Sequence, residues 1–116
     1  MGVDVNAKNI FNGTPLHFAA KKRNDDIDVV KFLVSQGADV NVKANDDVTP
    51  LHQAVSSANI EVVRFPVANG ADIHAKTLFS SFRVSPLDQA KTKVDVAKTA
   101  SEKAEAEAVL AAIEGR

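Results

Sequence analysis

Cysteine is absent from this 116-residue chain, which excludes disulfides and thiolate metal ligation. Net charge is nearly absent too. The 14 Lys and Arg against 15 Asp and Glu leave −1, so no global field draws nucleic acid or an anionic membrane. Long apolar runs are missing: the longest, residues 108–113, falls far below the ~20 residues a bilayer span needs. No signal-peptide pattern precedes the first helical segment, and Gly2 lacks the Ser or Thr four residues on that myristoylation favours. There is no glycine-rich phosphate loop and no nucleophile-elbow pattern. The remainder, 45% hydrophobic and 25% charged, is ordinary for a soluble domain. The expectation is a monomeric, intracellular (cytoplasmic) chain that is not an enzyme, with no cofactor, no metal, and no nucleic-acid or membrane partner.

What the chain does contain is repetition. Thr-Pro-Leu-His occurs at 14–17 and again at 49–52, and a degenerate Ser-Pro-Leu-Asp follows at 85–88, so the starts lie 35 and 36 residues apart. Gly-x-Asp followed by Val or Ile recurs in phase at Gly2, Gly37 and Gly70. A fixed period of this length marks stacked repeats, each unable to bury its apolar face alone.

Each unit reads as helix, loop, helix and extended finger. Thr14, Thr49 and Ser85 suit an N-cap, where a hydroxyl accepts from a free amide of the first turn. Pro15, Pro50 and Pro86 follow at the first helical position, where a missing N–H costs nothing. Leu16, Phe18 and Ala19 are read as the apolar face of a two-turn helix too short to be stable alone. A second helix is expected from near Asp26 in one unit and near Asn59 in the next, with the stripe Ile27, Val30, Phe32, Leu33, Val34 matched by Ile60, Val63, Phe65, Pro66, Val67. Gly37 and Gly70 supply the left-handed residue that ends it. After Ala90 the pattern fades. Ser101 is read as the N-cap of a last helix, with Ala108, Val109, Ala112 and Ile113 as its apolar stripe.

The hexapeptides Thr14-Pro15-Leu16-His17-Phe18-Ala19 and Thr49-Pro50-Leu51-His52-Gln53-Ala54, with the in-phase glycine motifs, resemble the ankyrin repeat. The resemblance runs from Gly2 to about Lys91. It implies an all-α fold, an ankyrin-repeat solenoid of stacked helix-loop-helix units with extended, β-hairpin-like fingers. The expected layout is a partial finger over residues 1–13, repeats over 14–48 and 49–84, and a divergent C-terminal capping repeat over 85–116. Because residues 2–6 match 37–41, the chain is expected to be a fragment of a longer array. Residues 113–116 spell a site commonly engineered for factor Xa cleavage; coincidence is the equal alternative, since Ile113 fits the apolar face of a final helix. Two departures are measurable: Thr14 to Gly37 is two residues longer than Thr49 to Gly70, and Gly70 to Ser85 three longer than Gly37 to Thr49. The first excess is assigned to residues 23–26, the second to the third finger. Pro66, aligned with Leu33 inside a helix, predicts a kink or an early helix end; a functional switch and a sequence variant are the alternatives.

The resemblance also implies function: a non-catalytic module that binds another protein through finger tips and the concave end of the first helices. The alternative is a structural spacer within a larger ankyrin-repeat protein. By alignment the partner-binding positions are Ile10, Phe11, Lys21 and Lys22; then Asn45, Asp46, Val48, Ser56 and Ser57; then Phe79, Phe82 and Arg83, with Thr92 and Lys93. Phe18, Phe32 and Phe65 are read as core. Leu78, Phe79, Phe82 and Val84 are read as a satellite cluster ahead of a contact patch. The resemblance implies that His17 and His52 bond the capping Thr and nearby backbone, and their whole-repeat spacing fits no metal-ligand signature. Lys21, Lys22 and Arg23 form a basic patch that Asp25, Asp26 and Asp28 partly neutralise. Leu33, Asp39, Val40 and Asn41 resemble the pattern recognised by asparaginyl hydroxylases of animal cells, but a turn-pinning role for Asn41 is the preferred reading.

Overall fold

The computed structural model describes residues 5–10, 12–21, 27–58, 60–78 and 83–115. Six α-helices occur among them: α1 (Pro15–Lys21), α2 (Ile27–Ser35), α3 (Pro50–Ser57), α4 (Ile60–Ala68), α5 (Pro86–Val96) and α6 (Ala100–Ile113). Helices pair within each unit as α1 on α2, α3 on α4 and α5 on α6. Between units α1 packs on α3 and α3 on α5, while α2 packs on α4 and α4 on α6. The result is two layers of helices, odd-numbered and even-numbered.

The caps predicted at Thr49 and Ser85 form. Thr49 is extended and accepts from the His52 amide, with Pro50 opening α3; Ser85 and Asp88 repeat the arrangement at α5. At the other ends, Ala38 and Gly37 amides donate to the Leu33 and Val34 carbonyls, and Ala71 and Gly70 to those of Pro66 and Val67. Both glycines sit at positive φ, +94° and +89°, a conformation that costs a side chain dearly and glycine nothing. α2 and α4 have nine residues each and end the same distance before these glycines. The two extra residues of the first unit therefore fall between Lys21 and Ile27, in a segment outside the described residues.

Of the two outcomes expected at Pro66, the early helix end is not found: α4 runs on to Ala68 with Pro66 buried. The reason is positional. Proline loses its N–H but keeps its carbonyl, and that carbonyl accepts the Ala71 bond closing the helix, as Leu33 does for Ala38.

The core is Leu16, Ala19 and Ala20 of α1, Val30 of α2, Leu51, Ala54 and Val55 of α3, Val62 and Val63 of α4, Ala90 of α5, and Val109, Ala112 and Ile113 of α6. Each fully buried Val, Leu or Ile contributes ~1.5–3 kcal/mol. Two phenylalanines read as core are not in it: Phe18 is 52% exposed and Phe32 60%. On helices of ~100° per residue, Phe18 lies about 160° from Leu16, and Phe32 about 160° from Val30. Phe65 is partly buried against the core. The repeats are also unequal: Val29 is 46% exposed, but Val62, its counterpart, is at 0%. α4 lies between α2 and α6, whereas α2 packs on α1 and α4. At α6 two further corrections apply. Thr99, not Ser101, is the N-cap, and Ala106, not Ala108, is in the buried stripe.

Two ladders tie each unit to the next finger. Asn6 donates to the Gly37 carbonyl (3.0 Å) and accepts from the Asp39 amide (2.9 Å). Asn41 repeats this one unit on, with Gly70 (3.1 Å) and Asp72 (2.7 Å). Asn41 thus pins the turn, as preferred above. The second ladder uses histidine.

Candidate interaction surface

His17 Nδ1 accepts from the Thr14 amide at 3.1 Å, so the ring proton is on Nε2, which donates to the Val48 carbonyl at 2.8 Å. His52 does the same with the Thr49 amide at 3.1 Å and the Val84 carbonyl at 2.9 Å. Burial lowers the pKa of both rings, partly offset by those carbonyls; Lys8 lowers His17 further, and His17 lowers His52. Protonating Nδ1 would set its proton against the threonine amide. These imidazoles are structural struts, each fixing the finger of a unit relative to that unit's first helix. In the third unit Asp88 accepts from Ser85 N–H at 3.2 Å, a bond that lowers the carboxyl pKa, but it has no proton to offer another finger.

Each finger is closed at its base by one backbone bond: Asn9 to Gly13, Ala44 to Val48 and Thr77 to Val84. The last closure spans three more residues than the others, which places the third-finger excess between Thr77 and Val84, where it was expected. No strand is present among the described residues, so the fingers are extended loops. At the second tip a short 3₁₀ turn over Asn45–Asp47 puts Asp46 and Asp47 in the left-handed region.

Between fingers and odd-numbered helices lie three adjoining clefts. The first, about 180 Å³, is lined by Asn9, Gly13, His17, Phe18, Lys21, Ala44 and Gln53. The second, about 170 Å³, shares Gln53 and adds Val48, His52, Ser56, Thr77, Val84 and Gln89. The third, about 280 Å³, shares Ser56, Val84 and Gln89 and adds Thr92, Lys93 and Val96. Their shared walls make one groove crossing all three units. Equivalent repeat positions fill it with different chemistry: Phe18, Gln53 and Gln89 in one row, Lys21, Ser56 and Thr92 in the next. Gln89 Oε1 is buried without a hydrogen-bond partner among the described residues.

Of the residues singled out in the sequence, Lys21, Val48, Ser56, Thr92 and Lys93 line this groove. Ile10, Asn45, Asp46 and Arg83 are exposed on the fingers. Ser57 is turned inward, its hydroxyl donating to the Lys21 carbonyl, so it ties α3 to α1. Phe11, Lys22, Phe79 and Phe82 lie outside the described residues, as do Arg23, Asp25 and Asp26. Leu78 is exposed, against the satellite-cluster reading, and its amide donates to the Asp46 carbonyl at 2.7 Å, joining the second and third fingers. Sequence reasoning missed Phe18, Gln53, Gln89 and Val96. The first three stand four residues after each cap, a phase legible in the sequence once the buried side of α1 is taken as Leu16, Ala19 and Ala20.

No helix among the described residues is long and apolar enough to cross a membrane. Among those residues no three His, Asp or Glu side chains converge as a metal site would require.

Comparison with known proteins agrees with the repeat reading. A putative ankyrin repeat protein of fowlpox virus is 47% identical over 60 residues, covering 52% of this chain and 9% of its own length. Alpha-latroinsectotoxin-Lt1a of Latrodectus tredecimguttatus is 54% identical over 56 residues, 48% of this chain and 4% of the toxin. A putative ankyrin repeat protein of Rickettsia bellii is 45% identical over 49 residues, 41% of this chain and 48% of that protein. The chain thus spans a tenth or less of the first two and about half of the third. The family described as Ankyrin repeats (3 copies) matches residues 1–77. With the capped helix pairs, the glycine-ended second helices and the histidine and asparagine ladders, this makes the chain a member of the ankyrin repeat family.

Proposed function

We propose that this chain is a protein-binding module that holds its partner along the groove and at the finger tips. Ankyrin repeats are in general protein–protein interaction modules without catalysis, which supports the broad reading. The observation carrying the specific one is the continuity of the groove. Three clefts share walls across three units, and their exposed positions vary from unit to unit while the struts His17 and His52 stay constant. A rigid frame with a variable lining binds without ordering much chain, so little entropy opposes association. Ile10, Asn45, Asp46 and Arg83 extend this surface onto the fingers; Phe11, Lys22, Phe79 and Phe82 belong to the proposal on the repeat alignment alone. The second reading, a spacer within a longer protein, draws support from relatives in which the matching segment is 9% or 4% of the length.

The test is affinity capture from host lysate with wild type, Phe18→Ser/Gln53→Arg and Phe79→Ser/Phe82→Ser, each first shown folded by circular dichroism. A partner lost by the groove variant supports the groove, and loss by the finger variant alone moves the site to the tips. Capture of nothing by any form favours the spacer.

A further inference from the structure

Asparagine followed by glycine occurs twice, at Asn12-Gly13 and Asn69-Gly70. In such a pair the side-chain carboxamide can react with the next backbone nitrogen, because glycine carries no Cβ to shield it. The two pairs are set very differently. Gly13 is buried, its amide donates to Asn9 Oδ1 at 2.9 Å, and Asn12 Nδ2 is held on Asn45 Oδ1 at 2.8 Å. Asn69 and Gly70 are both exposed, just past the end of α4. The Gly70 amide makes a long bond, 3.3 Å to the Val67 carbonyl, and a Cβ placed on Gly70 would meet nothing within 4 Å. Asn69 Nδ2 donates to the Phe65 carbonyl at 2.8 Å, but that bond lies in the final turn, where helices fray.

The preceding unit holds a matched case. Gln36-Gly37 follows α2 as Asn69-Gly70 follows α4: both residues are exposed, Gly37 has positive φ, and the amides of Gln36, Gly37 and Ala38 make the equivalent closing bonds. One methylene separates the two side chains. Asparagine closes a five-membered ring on the following nitrogen. Glutamine must close a six-membered one, with a further torsion to freeze at a cost in side-chain entropy.

We propose that Asn69 is a site of spontaneous modification, deamidating to aspartate and isoaspartate, and that the isoaspartate form loosens the third finger. The Gly70 nitrogen, its proton passed to hydroxide, bonds to Asn69 Cγ, and Nδ2 leaves as ammonia, giving a succinimide. Water then opens either carbonyl–nitrogen bond of the ring. Cleavage at Cγ leaves aspartate; cleavage at the backbone carbonyl leaves isoaspartate, with the main chain rerouted through Cβ and Cγ. The net change is one water consumed and one ammonia released, with no enzyme or oxidant needed. The rerouted chain is one methylene longer between α4 and Gly70. Two attachments lie just beyond that point: the Ala71 amide on the Pro66 carbonyl at 2.9 Å, and the Gly70 carbonyl and Asp72 amide on Asn41 at 3.1 and 2.7 Å. Displacing them frees the base of the finger whose Thr77 and Val84 wall the second cleft. Either product also sets a carboxylate at the helix C-terminus, where negative charge is disfavoured.

The full chain is held at neutral pH and 37 °C, folded or in urea, and sampled by peptide mapping with mass spectrometry. Isoaspartate is identified by labelling with an isoaspartyl methyltransferase. In the folded protein Asn69 is expected to convert about tenfold faster than Asn12, the difference one engaged, buried amide makes, and in urea the two rates are expected to converge. Gln36 is expected to stay intact in both, and Gln36→Asn to open a second site. Aged wild type is expected to show a lowered urea midpoint and faster hydrogen exchange at Ala71 and Asp72, with Asn69→Gln unchanged by the same treatment. Asn69→Asp, which adds the charge without the longer chain, is expected to lose less. Folded protein in which Asn69 persists while both asparagines convert in urea, or in which Asn12 converts as fast as Asn69, overturns the site. Isoaspartate at position 69 with midpoint and exchange unchanged, or a loss that Asn69→Asp reproduces in full, overturns the loosening of the finger.

Discussion

Replacing Pro66 by leucine is expected to stabilise the protein. Pro66 is the seventh of nine residues in α4 and has no N–H to donate to the carbonyl of Val62. A helix-interior proline costs ~3 kcal/mol relative to alanine. Proline also restricts the unfolded chain, so removing it returns ~0.4–1 kcal/mol to the unfolded state. Leucine suits the position sterically, since Leu33 is half-buried at the same place in α2 and forms the same closing bond to the alanine after the glycine. The net gain is about 2 kcal/mol, which for a domain of this size is roughly 6–12 °C in melting temperature. Urea titration followed by circular dichroism at 222 nm measures it, with the slope m checked for constancy so that the midpoint reports stability. Pro66→Ala separates the restored amide from the added side chain, and Leu33→Pro in α2 runs the argument backwards, with a comparable loss expected. If Pro66→Leu and Pro66→Ala both leave the midpoint unchanged or lower it, the missing amide carries no cost in α4, and the reasoning fails.

Ala58 ends α3 in the left-handed region, φ 56°, so Ala58→Gly is expected to gain ~1 kcal/mol, less a few tenths for the lost methyl, read as a raised urea midpoint. Gln89→Leu removes a buried acceptor with no partner among the described residues and is expected to raise stability by ~1 kcal/mol; a fall in the midpoint would mean that the amide is bonded in solution. Asn41→Ala deletes two bonds to the next finger, and a loss of ~1–2 kcal/mol is expected; a neutral result would remove the asparagine ladder from the energetics. Because the native pKa values of His17 and His52 lie below their ordinary 6.5, the unfolded state takes up protons first on acidification. The stabilisation is therefore complete above about pH 6.5 and lost as pH falls from there toward the depressed native values. Urea midpoints from pH 7.5 to 4.5 are expected to decline over that interval, and His17→Gln/His52→Gln to flatten the decline; equal slopes refute the strut tautomer.

The helix boundaries were legible because their signals are local. A hydroxyl followed by proline starts a helix, and a glycine at positive φ stops one, whatever surrounds them. The third-finger excess was legible as well, since counting between fixed points needs no side chains. What failed was the direction in which side chains face. Phe18 beside Leu16 and Ala19 reads as one apolar run, but which arc of a two-turn helix is buried is decided by α2 and α3, elements remote in sequence. The same holds for Ala106 against Ala108, where the spacing to Val109, Ala112 and Ile113 contained the answer. Thr99 was missed although Glu102, three residues on, completes a recognisable capping pattern. The groove was half legible: alignment supplied Lys21, Ser56 and Lys93, but Gln53 and Gln89 carry no motif. Their importance comes from where the fingers stand.

The doubly bonded base of the third finger makes that loop an insertion port. Thr77 donates its amide to the Val84 carbonyl, and its buried hydroxyl accepts from the Val84 amide. The same Val84 carbonyl also takes the strut from His52, so both ends of the loop are fixed to α3. Doubling such a loop adds only ~0.6 kcal/mol of closure entropy. A foreign epitope or recognition loop spliced between Leu78 and Arg83 would be displayed beside the groove while the stacking register behind it stayed fixed, giving a scaffold whose reach grows without retuning its frame.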